Sequence, residues 1–241
     1  MRVPSASELL GAWERGLDRG PVERGLILLA LASPEDDPQY LASLCVGERN
    51  RRLLALREAL FGSQFTGVAV CVACGQRLDL DFVAHDLLGG AATSEELMLR
   101  EGEYEVELRL PDSRDLLAAS RAASVGRAAS VLLEHCVVAT RVRGGSSSEP
   151  LPHHLVTAAA RRLAEADPQA DVQLALRCPS CGANCTAPFD IVLFLWTEIE
   201  RWAGRLFVDV HVLAGAYGWA EREILSLSDA RRRQYLQMVG A

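Results

Sequence analysis

Apolar residues recur at helical spacing toward both ends of this chain and at strand spacing through much of its middle. Ser5, with Glu8 three residues on, predicts a capping box ahead of Leu9, Leu10 and Trp13 and a first helix to about Leu17. Gly20-Pro21 puts a proline at the first position of a second helix, Val22 to Ala32, which Ser33-Pro34 closes. Asp37-Pro38 opens a third helical region, Gln39 to Leu60, interrupted near Gly47 and stopped at Gly62.

From Phe65 the period shifts to two. Phe65 to Val70 and the strict alternation of Arg77 to Phe82 predict a hairpin. After a flexible joint at Gly89-Gly90, Glu103 to Leu110 alternates again with Tyr104, Val106, Leu108 and Leu110 on one face, as a half-buried strand of the same sheet. Pro111 ends it. Helices are expected over Ser113 to Ala119, Ser124 to Val138 and Pro152 to Ala166, with a polar loop at Gly144 to Pro150 and a stop at Asp167-Pro168. Val172 to Leu176 and Cys185 to Pro188 read as strands.

Asp190 starts the longest helix, running to about Leu213 and about 36 Å long. Thr197, Arg201, Arg205 and Asp209 form a narrow polar stripe between two apolar faces, which predicts a helix more buried than an ordinary surface one. Gly215 and Gly218 end it, Trp219 to Leu227 forms a short helix, and Ser228-Asp229 caps a last one carrying Arg231, Arg232 and Arg233. No internal repeat of useful length is legible.

Two short turns carry the chemistry. Cys71-Val72-Ala73-Cys74-Gly75 tips the first hairpin, and Cys178-Pro179-Ser180-Cys181-Gly182 lies between the last two strands. Each offers two thiolates followed by a glycine free to take the left-handed conformation of such a turn. Facing each other, they supply the four soft ligands of a tetrahedral Zn2+ site in zinc-ribbon geometry, with Cys71, Cys74, Cys178 and Cys181 as ligands. A redox dithiol needs one such turn, a disulfide needs an oxidising compartment, and buried free cysteines need no partner. Cys185 could replace a ligand or be a small residue on the outgoing strand; Cys45 and Cys136 read as core.

The expected fold class is α+β: a helical N-terminal part (1–64), an antiparallel zinc-ribbon-like sheet part (65–189) and a long C-terminal helix followed by short helices (190–241), integrated as one domain. A hydrophobic content of 49% is ample for a packed core. The net charge of −7, with every basic residue an arginine, argues against a general nucleic-acid binder. The opening residues lack an apolar signal core, and no run is long enough to cross a bilayer, so the cytoplasm of a bacterium or phage-infected cell is expected.

Catalytic patterns are missing. His85, His135, His153, His154 and His211 sit in no metalloprotease or hydrolase motif and read as solvated or core side chains. Glu198 and Glu200 fall on different helix faces, and Glu221 and Glu223 suit a helix start. Arg231, Arg232 and Arg233 read as a solvated face or a protein contact.

The C-terminal run Phe189-Asp190-Ile191, Phe194-Leu195-Trp196, Glu198-Ile199, Ala214, Tyr217-Gly218-Trp219, Glu221, Glu223-Ile224-Leu225, Leu227-Ser228, Arg231-Arg232 and Tyr235-Leu236 resembles the baseplate-hub assembly proteins of T-even-like contractile phages, whose relatives occur in bacterial contractile injection systems. Val46-Gly47, Arg49, Leu53-Leu54, Leu56-Arg57-Glu58, Phe61-Gly62, Arg109-Leu110-Pro111, Ser113, Asp115-Leu116 and Asp167-Pro168 extend the resemblance over nearly the whole chain. It implies a non-enzymatic role in assembling or forming a baseplate hub, with hub proteins as partners; the zinc expectation rests on spacing alone. Trp196, Trp202, Phe207, Tyr217 and Trp219 are the expected partner contacts, because aromatics concentrate at buried interfaces. The rival class is a zinc-ribbon nucleic-acid or transcription-associated module, since ribbons often serve that purpose.

Overall fold

The computed structural model describes residues 2–90, 92, 96–143, 145–147 and 149–240. Its fold is α+β, with helices first, antiparallel strands in the middle and a long helix followed by short ones at the end. The chain divides into two compact units, one formed by residues 1–35 with 192–241 and the other by 36–191.

The first unit opens with α1 (Ala6–Gly16) and α2 (Pro21–Ala32). The capping box forms as expected: the Glu8 amide donates to Ser5 Oγ at 3.3 Å, and the Ser5 amide donates to Glu8 Oε2 at 2.9 Å. Arg24 folds back to donate to the carbonyls of Gly16, the last residue of α1, and of Leu17, which caps it, at 2.9 and 3.0 Å, joining the two helices where carbonyls lack partners.

In the second unit α3 (Pro38–Ser43) and α4 (Val46–Phe61) are separated at Leu44-Cys45, not at Gly47. The break has a tertiary cause. Cys45 makes an antiparallel bridge with Asp112, and the Val46 amide donates to the Pro111 carbonyl at 3.0 Å, so the backbone must be extended there. Gly47 lies inside α4.

The strands β1 (Gln64–Val70) and β2 (Arg77–Val83) form the expected hairpin. Next come β3 (Leu97–Glu101) and β4 (Tyr104–Leu108), α5 (Ser113–Ser120), α6 (Val125–Cys136), β5 (Val137–Val142), β6 (Gly145–Ser147), α7 (His153–Ala166), β7 (Val172–Arg177) and β8 (Asn184–Phe189). The strand β4 does not join the cysteine hairpin. It belongs to a separate sheet of order β3-β4-β5-β6, while β1-β2 and β7-β8 are two-stranded ladders of their own.

The β-branched run from Val137 takes a strand where a helix was expected to continue, because it pairs with β4. Part of the expected loop, Gly145 to Ser147, pairs with β5; Gly144 and Ser148 lie outside the described residues. Packing of α7 on this sheet buries Leu97, Val106, Leu108, Ala159 and Ala166. Gly89 is not a joint: its amide donates to Oε1 of the buried Gln169 at 2.6 Å, and Gln169 Nε2 donates to the Leu87 carbonyl.

The chain returns to the first unit through α8 (Ile191–Tyr217), 27 residues and about 40 Å long. Gly215 is absorbed into it; Gly218, at φ +68°, ends it. The short α9 (Glu221–Leu225) and α10 (Asp229–Val239), capped by Ser228, complete the chain. Leu10, Ala203 and Leu206 form a core here with Trp13, Trp202 and Leu225 against it. Among the described residues no helix is long and apolar enough to cross a membrane.

Candidate metal centre

Each cysteine pair sits where two paired strands end and the chain must reverse. In the first turn the Gly75 amide donates to the Cys71 carbonyl at 2.8 Å, and the Cys71 amide donates to the Gln76 carbonyl at 2.8 Å. In the second, the Gly182 amide donates to the Cys178 carbonyl and the Cys178 amide to the Ala183 carbonyl, both at 2.9 Å. Gly75 and Gly182 have the same φ of +73°, the left-handed conformation in which a Cβ is unfavourable.

The likeness extends down both hairpins. Register pairs Val70 with Arg77 and Phe65 with Phe82 in one, Arg177 with Asn184 and Val172 with Phe189 in the other. Segments 65–82 and 172–189 are therefore two copies of one hairpin, the repeat that was not legible in the sequence. Position by position they share only the two cysteines, the glycine and the closing phenylalanine. Those four identities are the only signal by which the repeat could have been found.

The hairpins meet through side chains and not through ladder hydrogen bonds, so the expectation of one sheet with a metal-locked strand order is corrected to two packed ribbons. At their feet Phe65 stacks on Phe82 at 5.3 Å between centroids, and Phe189 stands edge-on to both at 6.0 and 5.8 Å. The Arg57 guanidinium lies 3.7 Å over the Phe65 ring. At their tips all four expected sulfurs converge, each within 4.8 Å of the others. Cys71 Sγ is 3.8 Å from Cys181 Sγ, and Cys74 Sγ is 3.7 Å from Cys178 Sγ.

No cysteine is in a disulfide. Four thiolates bound tetrahedrally at about 2.3 Å to one metal ion stand about 3.8 Å apart, so the two closest separations fit such an ion. Cys71 and Cys178 are buried beneath the exposed Cys74 and Cys181. Amides of Cys74 and Ala73 hold the Cys71 thiol down to about 6 against the opposing effect of burial. The Cys181 and Ser180 amides lower Cys178 in the same way, again against burial. At Cys74 the Gln76 amide lowers the value, but the Cys181 thiol, burial and the other two thiols outweigh it and push it up to about 12. One buried thiol per turn thus favours the deprotonated form a metal requires.

Cys185 is not among the four. It occupies the position equivalent to Leu78 of the first hairpin and packs half-buried beneath the sulfurs with Leu176 and Ala183, where burial raises its pKa. Cys136 is buried as expected, and burial pushes its thiol up to about 12.

The expected partner contacts separate into core and surface. Trp196 is buried: its indole N–H donates to Glu200 Oε1 at 2.7 Å, the Arg24 guanidinium lies 4.5 Å from its ring, and a side chain at Gly16 would overlap it. Enclosed in this way, it has no face left for a partner. Trp202 is half-buried in the α8 core, and Phe207 is exposed while touching Trp13 edge-on at 5.7 Å. Tyr217 stacks on Trp219 at 4.6 Å, and Tyr235, which was not among the expected contacts, stands edge-on to both.

A second polar centre, in the second unit, had no expected role. Asp115 accepts two hydrogen bonds from Arg109 at 2.7 Å each, one from the Asp112 amide at 2.9 Å, and lies 3.1 Å from His135 Nδ1. Asp112 caps α5 through the amides of Arg114 and Asp115. The signal for it, Asp112 with Asp115 at capping spacing after a proline, is local; Arg109 and His135 arrive from other elements.

Comparison with protein-family models, curated proteins and solved structures finds no match for this chain.

Proposed function

We propose that this chain is a non-enzymatic structural or assembly protein of the baseplate hub of a contractile phage tail or phage-tail-like injection system, stabilised by a structural zinc ion. Cys71, Cys74, Cys178 and Cys181 would hold the ion. Four soft thiolates in tetrahedral reach are a donor set that suits zinc, and all-cysteine coordination leaves no open position for a substrate. Bound there, zinc joins two hairpins whose own ladders do not connect. Phe207, Tyr217 and Trp219 are the aromatics that remain available to hub partners.

The observation that carries this reading is that scattered residues of the resemblance act together in the fold. Gly47 and Asp167 hydrogen-bond, the Val46 amide donates to the Pro111 carbonyl, Arg109 clasps Asp115, and Tyr217 stacks on Trp219 with Tyr235 edge-on to both. Positions that set helix starts and chain crossings are those that relatives sharing a fold must keep. The nucleic-acid alternative gains no such support: beside the first thiol turn Arg77 is ion-paired with Asp79, and Asp81 adds a further carboxylate.

Deletion of the gene in a producing strain tests the proposal. Electron microscopy is expected to find no complete contractile particles, with complementation restoring them; normal particles in normal number would overturn it. Mass spectrometry of finished particles then separates a resident component from an assembly factor that leaves.

A further inference from the structure

An ion is not all that holds the two thiol turns face to face. Beneath the sulfurs, Ala69, Leu78 and Leu80 of one hairpin and Leu176, Ala183 and Cys185 of the other pack in one apolar cluster with Cys71 and Cys178. At the feet lie the three phenylalanines, Phe65, Phe82 and Phe189. Two layers of apolar contact therefore keep the tips opposed after an ion departs. The four sulfurs also differ in access: Cys74 and Cys181 are exposed, whereas Cys71 and Cys178 are buried. Across the hairpins each close pair joins an exposed sulfur to a buried one, Cys74 to Cys178 at 3.7 Å and Cys181 to Cys71 at 3.8 Å. A disulfide needs sulfurs at about 2.05 Å, so each pair has to close by less than about 2 Å.

We propose that peroxide turns this centre from a metal clasp into a covalent one, with Cys74 bonded to Cys178 and Cys181 to Cys71. Peroxide meets an exposed thiolate first. The Cys74 sulfur attacks one peroxide oxygen, the O–O bond breaks, hydroxide leaves and a sulfenic acid forms. The Cys178 thiolate then attacks that sulfur and expels a second hydroxide as the S–S bond closes. The two sulfurs give up two electrons, and one peroxide is reduced to two hydroxides. Cys181 and Cys71 repeat the sequence with a second peroxide. With all four thiolates consumed, the centre keeps no charged sulfur for a cation, and one Zn2+ is released per two peroxides. Cys185, packed under the sulfurs at the place equivalent to Leu78, stays a thiol, because the four pair without remainder. The cross-links span 104 and 110 positions, so hairpins whose ladders do not connect stay joined once the ion has gone. Only the release of zinc rests on the proposed zinc site; the pairing of the thiols stands on their geometry.

The test exposes the purified full chain, with its bound metal, to hydrogen peroxide. A chromogenic chelator follows zinc, and mass spectrometry of unreduced peptides maps the disulfides. Expected are zinc release at about one ion per two peroxides consumed, links from Cys74 to Cys178 and from Cys71 to Cys181, and Cys45, Cys136 and Cys185 still open to alkylation after unfolding. The oxidised protein should melt above the reduced, chelated protein, and dithiothreitol with zinc should restore the starting state. Cys74→Ser should form only the link from Cys71 to Cys181, and Cys185→Ala should form both. Links within a turn, from Cys71 to Cys74 and from Cys178 to Cys181, would close only a few residues, leave melting no higher than in the reduced, chelated protein and overturn the proposal. A link through Cys185, or sulfinic acids without any cross-link, would sink it equally. Zinc kept in place with no disulfide formed would refute the cross-linking and leave the zinc site standing. A chain isolated without zinc that still forms both links would do the reverse.

Discussion

Gly47 and Asp167, 120 positions apart, meet at the start of α4: Asp167 Oδ2 accepts the Gly47 amide at 2.8 Å, and the carboxylate fills the space a side chain at Gly47 would need. The α4 helix has no side-chain cap of its own, so a residue from the far end of α7 serves as one. Burial raises the Asp167 carboxyl above its ordinary pKa even though the Gly47 amide favours the charged form.

Gly47→Ala must therefore displace the carboxylate and lose the cap together. We expect a loss of about 2–4 kcal/mol in chemical denaturation. Gly67→Ala, in β1 with open space around the position and no left-handed φ, should change stability by less than about 1 kcal/mol. Equal losses in the two variants would mean that the close approach to Asp167 is not what constrains Gly47.

Cys71→Ser and Cys178→Ser should each lower bound zinc and the melting temperature to a similar degree, because the two turns are built alike. Chelation of the wild-type protein should mimic both. Cys185→Ala is expected to retain full metal content by elemental analysis, since Leu78 fills the equivalent place in the other hairpin.

Gly75→Ala and Gly182→Ala put a side chain on a backbone held at φ +73°, with nothing nearby to clash. The cost is conformational, about 1 kcal/mol at each site. It should appear as a roughly fivefold weaker zinc affinity in competition titrations, similar for the two glycines.

Acid should weaken the second unit through Asp115. Burial alone would raise its pKa, but the Arg109 guanidinium, the Asp112 amide and His135 outweigh it and hold the carboxyl at about 2, below its ordinary 3.8. A depressed carboxyl contributes stability that is complete above the unfolded value and disappears as pH falls through the folded one. Wild type minus Asp115→Asn should therefore lose on the order of 2 kcal/mol between about pH 4 and pH 2, read from denaturant midpoints at each pH. A difference independent of pH over that window would show that Asp115 acts only as a neutral hydrogen-bond acceptor.

How much of this could be read beforehand varies by element. The Ser5–Glu8 box, Pro21 at a helix start, the Arg77–Phe82 alternation and the Ser228 cap are local signals, and each element formed close to where its signal lies. The four thiols were legible because two identical spacings, each followed by glycine, make one chemical request. Expectations failed where a local signal met a distant partner. The break near Gly47 moved to Leu44-Cys45, where a neighbouring chain pairs; Val137 left its helix for a strand beside β4; and Trp196, expected to meet a partner, is enclosed by Gly16, Arg24 and Glu200.

By itself the sequence determined most of the helices and the strands flanking the cysteine turns, though not β3, β6 or the strand start at Val137, and that two turns carry paired thiols, because periodicity, caps and glycine conformations act over a few residues. Only the tertiary structure decided that the thiol turns meet at their tips while three phenylalanines meet at their feet, that β4 belongs to another sheet, and that Asp167 caps a helix 120 positions away. Those outcomes depend on which surfaces find each other across long connections, and the free energy of such contacts is shared between segments, so neither segment records it alone.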